Sequence, residues 1–339
     1  MKFSSKEVKQ LKIFVLTAFG LPILMGILMG YSYFKGNDVS IFANAHMYYP
    51  AAGVMLALLV TGGKDQKLPK KFYFGFLAAT VVMIAVCIAS VIMPDLYWVM
   101  LGQYPIIIAS IVCLILLLLE KKEVRSCYRL KITGRKNARS ALYVLLFFAL
   151  YLLRLTIGSL LGGQMDELIA LFTNPLTYSI MFTLILNFFF SFTAFFGEEY
   201  GWRYFFQPLL QKRFGMRAGV LLLGIFWGLW HLPLNIFFYS PDTWLISVLV
   251  QIVTCISFSI FFGYGYLKTE NIWVPVIMHY INNNMIAVVS GVEAMSDQVL
   301  KWSDVVFAVG LNLIFIAFIF SKAYNEKRQE ASSEISSGV

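Results

Sequence analysis

Two adjacent glutamates and an arginine, Glu198, Glu199 and Arg203, stand inside a run that is otherwise apolar from Leu176 to Leu210. Two of the three histidines in the chain, His231 and His279, stand in later apolar runs, each followed four residues on by an asparagine, Asn235 and Asn283. Carboxylates and imidazoles are the side chains that most often move protons to and from a reacting group. Charge at membrane depth costs at least ~2.5–3.5 kcal/mol per residue on insertion scales, so it needs a partner or a task. Glu199 and Arg203 are spaced i, i+4 with the acid first, the favoured order for an ion pair on one helix. Glu198 points about 100° away from Glu199 and has no partner by that spacing. Asn187, Ser191 and Glu198 fall within about 40° of one line on a helix, which predicts a polar stripe. A poorly solvated carboxylate accepts a proton more readily than one in bulk water, and so suits the activation of a water molecule. The third histidine, His46, falls at a helix end and reads as a bland position.

The elements that must position these residues are membrane helices. Of the 339 residues, 59% are apolar and 13% charged, against about 45–50% and about 25% in a soluble domain. Ten apolar segments approach the ~20 residues that cross a bilayer: 12–34, 47–62, 72–93, 98–119, 140–162, 176–200, 218–237, 244–266, 272–290 and 304–321. The expected fold is therefore all-α, a polytopic transmembrane helix bundle of about ten spans, with 47–62 the shortest. The apolar stretch 176–210 is longer than one crossing needs, so it must tilt or continue along a surface. The net charge of +9 is spread through loops, the pattern of membrane topology rather than of nucleic-acid binding. With ten spans, 24 of the 27 Lys and Arg residues fall on one side, Arg203 counted among them; the exceptions are Lys35, Lys301 and Arg154. That bias predicts both termini in the cytoplasm and the polar cluster in the cytoplasmic half of a multi-pass cell membrane protein. Arg154, near the outer end of its segment, reads as a snorkelling side chain.

The chain divides into membrane helices of unassigned role over 1–170, a core carrying the polar residues over 176–290, a final loop and span over 291–322, and a small polar tail over 323–339 expected to be disordered. The basic start leads into a long apolar run and reads as a retained helix, not a cleaved signal. Cys87, Cys113, Cys127 and Cys255 have neither disulfide nor zinc spacing.

The pattern Glu-Glu-x-x-x-Arg, then an aromatic-x-x-x-His one helix on, then His-x-x-x-Asn two helices later, resembles the CAAX protease and bacteriocin-processing family. These are intramembrane glutamate endopeptidases and include the prenyl-protein (Ras-converting) proteases. The matching residues are Glu198, Glu199 and Arg203, Trp227 and His231, and His279 and Asn283, within roughly 180–290. The first five spans carry no motif of the family. The resemblance implies that Glu198 is the general base on a water, that His231 helps hold and polarise that water, and that His279 and Asn283 donate to the oxyanion. Glu199 and Arg203 would orient the site. It implies no cofactor and no metal, with a prenylated CAAX-like or other membrane-associated peptide as substrate. At Trp227 the family usually has Phe; the change is expected to affect packing and leave the chemistry untouched.

Other readings use the same residues. Glu199 and Arg203 suit a structural salt bridge, and the histidines suit interhelical hydrogen bonds. The fold would also serve as a non-catalytic scaffold or bacteriocin immunity protein. Glu198, His231 and His279 form an adequate set for a zinc-dependent membrane peptidase, although no HExxH is present. Glu198 as the proton carrier of a transporter finds no support in paired broken helices.

Overall fold

The structure is a computed structural model that describes residues 3–63, 65–132, 137–291 and 295–325. Of the charges counted above, Lys2, Lys64, Arg135, Lys136, Lys327 and Arg328 lie outside the described residues, as does the tail from residue 326 onward.

The described residues form helices joined by short loops, with no strand. In chain order these are α1 (Ser5–Ala18), α2 (Gly20–Phe34), α3 (Ser40–His46), α4 (Tyr49–Thr61), α5 (Lys70–Ile92), α6 (Trp98–Leu101), α7 (Gln103–Leu118), α8 (Lys122–Cys127), α9 (Asn137–Gly162) and α10 (Met165–Thr173). The second half continues with α11 (Pro175–Glu199), a π-helical segment (Tyr200–Phe206), α12 (Gln207–Phe214), α13 (Met216–Trp230), α14 (Leu232–Leu234), a second π segment (Asn235–Tyr239), α15 (Trp244–Thr269), α16 (Trp273–Ser290) and α17 (Trp302–Ile316).

Local chemistry sets several of the boundaries. Ser4 and Glu7 close a capping box at the start of α1, satisfying two orphan N–H groups at once. Asn174 caps α11 through Leu176 N, with Pro175 in the first turn, where its missing N–H costs nothing. Gly215, at φ 91°, separates α12 from α13 in a backbone conformation that glycine adopts without strain.

The molecule is an all-α polytopic membrane bundle. Among the described residues, seven helical stretches are long and apolar enough to cross a membrane: Ser5–Phe34, Lys70–Ile92, Trp98–Leu118, Ala138–Gly162, Pro175–Phe214, Pro241–Thr269 and Trp302–Phe320. An eighth arises if Met216–Trp230 and Leu232–Tyr239, bent by 40°, count as one broken span. The expectation of ten adds the segments 47–62 and 272–290. These form α4 and α16, of 13 and 18 residues. At 1.5 Å per residue, α4 is only ~20 Å long, short of a ~30 Å hydrocarbon core. Helix α16 has enough residues, but His279 and Asn282 to Asn284 lower its hydropathy. Large apolar side chains such as Leu16, Phe34, Ile92, Leu160, Val306 and Phe320 point outward, as expected where lipid is the solvent.

The core lies where α4, the π segment at 200–206, α13, α15 and α16 converge. Two glycine pairs bring backbones together there. A Cβ on Gly197 or Gly201 would collide with Met47 O or with Pro50, and one on Gly224 or Gly228 with the backbone of Ile256 or Ile252 on α15. Small residues four apart are the usual means of close helix approach in membranes.

Candidate active site

The site is built on the longest continuous helix. Pro175–Phe214 runs through α11, the π segment and α12, about 60 Å at 1.5 Å per residue. Glu198 and Glu199 are the last residues before the π segment, and Arg203 lies inside it. π turns within α-helices often mark functional positions. All three side chains are buried. Arg203 was counted among the loop charges in the sequence; its complete burial removes it from the topology count.

Glu199 is the anion of the centre. Its Oε2 lies 2.9 Å from Arg203 Nε, and its Oε1 lies 2.9 Å from His279 Nδ1 on α16. The arginine contact is close but not aligned as a hydrogen bond, so it acts as an ion pair. Arg203 also reaches Ser259 Oγ on α15 at 3.5 Å. Its guanidinium lies 4.6 Å from the Trp227 ring centroid and 5.5 Å from that of Phe262. Aromatic faces stabilise a cation held out of water.

Glu198 does have partners, and the spacing argument missed them. Its Oε2 accepts from Trp227 Nε1 at 2.6 Å and from Trp202 Nε1 at 3.3 Å. Trp202 is i+4 from Glu198, so helical spacing could have found it; Trp227 comes from α13 and is visible only in three dimensions. Trp227 thus does more than pack: its indole makes a hydrogen bond to this carboxylate that Phe, with no N–H, could not make. Glu198 is within electrostatic reach of His279, Glu199, Tyr239 and Cys255.

His231 sits at the end of α13, where the span bends. Its Nδ1 is 2.8 Å from Trp227 O. A carbonyl only accepts, so Nδ1 carries the hydrogen and, in the neutral ring, Nε2 is the acceptor. Side chains donate to two carbonyls at the break. Asn235 Nδ2 donates to His231 O, and His46 Nε2 donates to Trp230 O at 3.0 Å. Asn235 in turn accepts from Ser247 Oγ. His46 is thus not bland: its ring centroid is 3.9 Å from that of Trp230 and 6.4 Å from that of His231. All three histidines of the chain gather in this region.

Two sets of the polar positions singled out in the sequence stand apart from this network. Asn187 is exposed, Ser191 is half-buried, and both approach the Tyr280 hydroxyl instead of continuing the line to Glu198. Asn283 lies one turn beyond His279 on α16, but its Oδ1 accepts from Asn282, and no contact joins it to Glu198 or His231 among the described residues. Also among the described residues, no three of the His, Cys, Asp and Glu side chains are grouped to hold one metal ion. The three-ligand set of the zinc reading is not assembled.

Residues 179–285 match the family model described as type II CAAX prenyl endopeptidase Rce1-like. This segment is Rce1-like. It contains every residue of the Glu198–Arg203, Trp227–His231 and His279–Asn283 constellation. A curated protein of Methanococcus maripaludis named CAAX prenyl protease 2 is 31% identical to the chain over 116 residues. That stretch covers 34% of this chain and 41% of the relative, so the chain matches about two fifths of that protein's length. No solved structure is significantly similar to the chain. The Rce1-like segment covers α13 and most of α11 and α16, which carry most of the buried polar network, and the helices before α11 lie outside it.

Proposed function

We propose that the protein is a glutamate-type intramembrane endopeptidase acting on a membrane-associated peptide, with a prenylated CAAX-like peptide as the first candidate. One observation carries this reading. The buried acids and histidines of the Rce1-like segment, drawn from α11, α13 and α16, converge on one network with Trp227 at its centre.

Glu198 takes a proton from water while that water attacks the scissile carbonyl carbon. His231 Nε2, left as an acceptor by the Trp227 carbonyl, holds and orients the same water. The oxyanion that forms is met by His279 and Asn283. Donation from His279 Nε2 requires hydrogen on both ring nitrogens, and Glu199 is the anion such a ring faces. Donors placed on a developing oxyanion contribute ~2.7–4 kcal/mol in known cases. When the tetrahedral intermediate collapses, the C–N bond breaks and the proton held by Glu198 passes to the leaving amine. Glu199 and Arg203 hold His279 and the helix turn in place.

The topology proposed with this activity is ten crossings, with α4 and α16 as short crossings inside the bundle and both termini cytoplasmic. Glu198 lies ~35 Å along α11 from Pro175, and His279 lies ~9 Å along α16 from Trp273. Both distances favour a site nearer the basic end of the bundle.

The test is cleavage of an internally quenched farnesylated CAAX peptide by purified protein in detergent. Wild type is expected to cleave it, Glu198→Ala to lose at least a hundredfold in rate, and chelator to change nothing. Cleavage undiminished in Glu198→Ala would sink the glutamate mechanism. Loss on chelation with recovery on added zinc would replace it with a metal mechanism.

A further inference from the structure

Trp227 touches more of the motif than any other side chain described above. Its indole N–H bonds Glu198, its ring lies under Arg203, its edge meets the His279 ring at a centroid distance of 5.5 Å, and its carbonyl accepts from His231. The bond to Glu198, at 2.6 Å, is the shorter of the two that reach its Oε2.

The two carboxylate oxygens of Glu198 are not equivalent. Oε2 accepts both indoles. Oε1 has no donor among the described residues, yet it is not among the buried atoms sealed off without a partner, which include Glu199 Oε2 and Arg203 Nη2. Indole donates and never accepts. An oxygen that receives two indole N–H groups is therefore held as an acceptor whether or not the acid is protonated. A proton arriving at Glu198 goes to Oε1.

We propose that Trp227, assisted by Trp202, commits Oε2 of Glu198 to hydrogen bonding and so makes Oε1 the oxygen that exchanges a proton with water. Trp227 is a positioning residue in this scheme. It touches Glu198, not the reacting atoms. The inference rests on the glutamate-peptidase reading and deepens it, because it assigns the base to one oxygen and explains a tryptophan where a phenylalanine would pack. Oε1 accepts the proton of the attacking water and later returns it to the amine, so the acid ends each turnover as the carboxylate it began as. Trp202, at 3.3 Å, makes the weaker of the two bonds.

The chain has seven tryptophans, so selectively ¹⁵N-Trp-labelled protein in detergent micelles gives seven indole N–H signals. Trp227→Phe keeps an aromatic ring, removes the donor and assigns the signal that disappears. That signal is expected downfield of the others and is expected to move upfield in Glu198→Gln. The remaining signals of Trp227→Phe report whether the fold is kept. Turnover of the farnesylated peptide supplies the second arm. Trp227→Phe is expected to lower kcat by about 10- to 100-fold, the change that follows from losing one hydrogen bond to a charged group, with KM within about twofold of wild type. Trp202→Phe is expected to lower kcat less. A Trp227 indole signal indifferent to Glu198→Gln overturns the proposal, and so does wild-type kcat in Trp227→Phe. If wild type cleaves nothing, the peptidase reading fails separately, and the indole spectrum still decides whether the carboxylate is clamped.

Discussion

Glu199 is where the charges of the site close on one another. It is fully buried between Arg203 and His279, and Arg203 has no other acid against it among the described residues. Breaking a buried pair by removing one partner leaves an uncompensated charge and costs ~3–5 kcal/mol. Arg203→Met is therefore expected to lower the thermal midpoint in detergent sharply, and Glu199→Gln likewise. The double variant is expected to be less destabilised than the sum of the two, since it leaves no lone charge. Additive losses would mean that the two side chains do not act as a pair. Arg203→Lys is expected to rescue poorly, because a compact ammonium cannot lie flat against Trp227 and Phe262 while also reaching Glu199 and Ser259. At this scale the sequence was legible where oppositely charged partners share a helix. Spacing alone identified Glu199 with Arg203. It left Glu198 without a partner because the indole of Trp227 arrives from another helix, and because hydropathy counts tryptophan as apolar and ignores its N–H. His46 escaped for the same reason, as its partner is the carbonyl of Trp230, 184 residues away.

At the scale of the element, the site depends on how closely α4 lies against the turn that carries the acids. Gly197 precedes Glu198 directly, and its missing Cβ is the space taken by Met47 O and the Tyr48 backbone. Gly197→Ala must push the junction of α3 and α4 away or rotate the helix that aims Glu198. Overpacking of this kind costs about 1–3 kcal/mol, and a displacement at the base is expected to remove most activity as well. Gly310 on α17 is the control, since nothing lies within 4 Å of a Cβ built there. Gly310→Ala is expected to be neutral or to stabilise by up to about 1 kcal/mol through helix propensity. Parallel thermal unfolding and peptide cleavage of the two variants check the pair; equal effects would mean that close approach at Gly197 does not hold the site. The segment that forms α4 was the shortest candidate span in the sequence. Thirteen residues give a weak hydropathy signal, but they suffice for a buttress largely surrounded by protein. Pro233, with no backbone N–H to donate, marks the break after Trp230 in the sequence itself, whereas the π segment after Glu199 left no mark in composition, because side-chain periodicity does not report how many residues one backbone turn encloses.

For the molecule as a whole, the charge bias and the packing bear on the same question by independent routes. Lys6 reaches Gln66, and Gln66 reaches the Tyr128 hydroxyl. Lys212 pairs with Glu7, Arg129 with Glu270, and Arg217 with Asn325. The start of α1, the segments near 66, 128, 212 and 270, and the end of the described chain therefore share one end of the bundle. These are the segments in which the lysines and arginines concentrate, and the proposed orientation, with that end in the cytoplasm, rests on the usual excess of positive charge on cytoplasmic loops. The cysteines provide a test without any engineering. Cys87, Cys113 and Cys255 are buried, and Cys127, at the end of α8 within this cluster, is exposed. A membrane-impermeant maleimide is expected to label the wild-type protein in inside-out vesicles, to leave it unlabelled in right-side-out vesicles, and to label Cys127→Ser in neither. Labelling from the outer face would invert the orientation and put the Glu198 site in the opposite half of the membrane. In that case the candidate substrate would have to be an extracytoplasmic peptide, since a cytoplasmic prenylated chain could not present its scissile bond there.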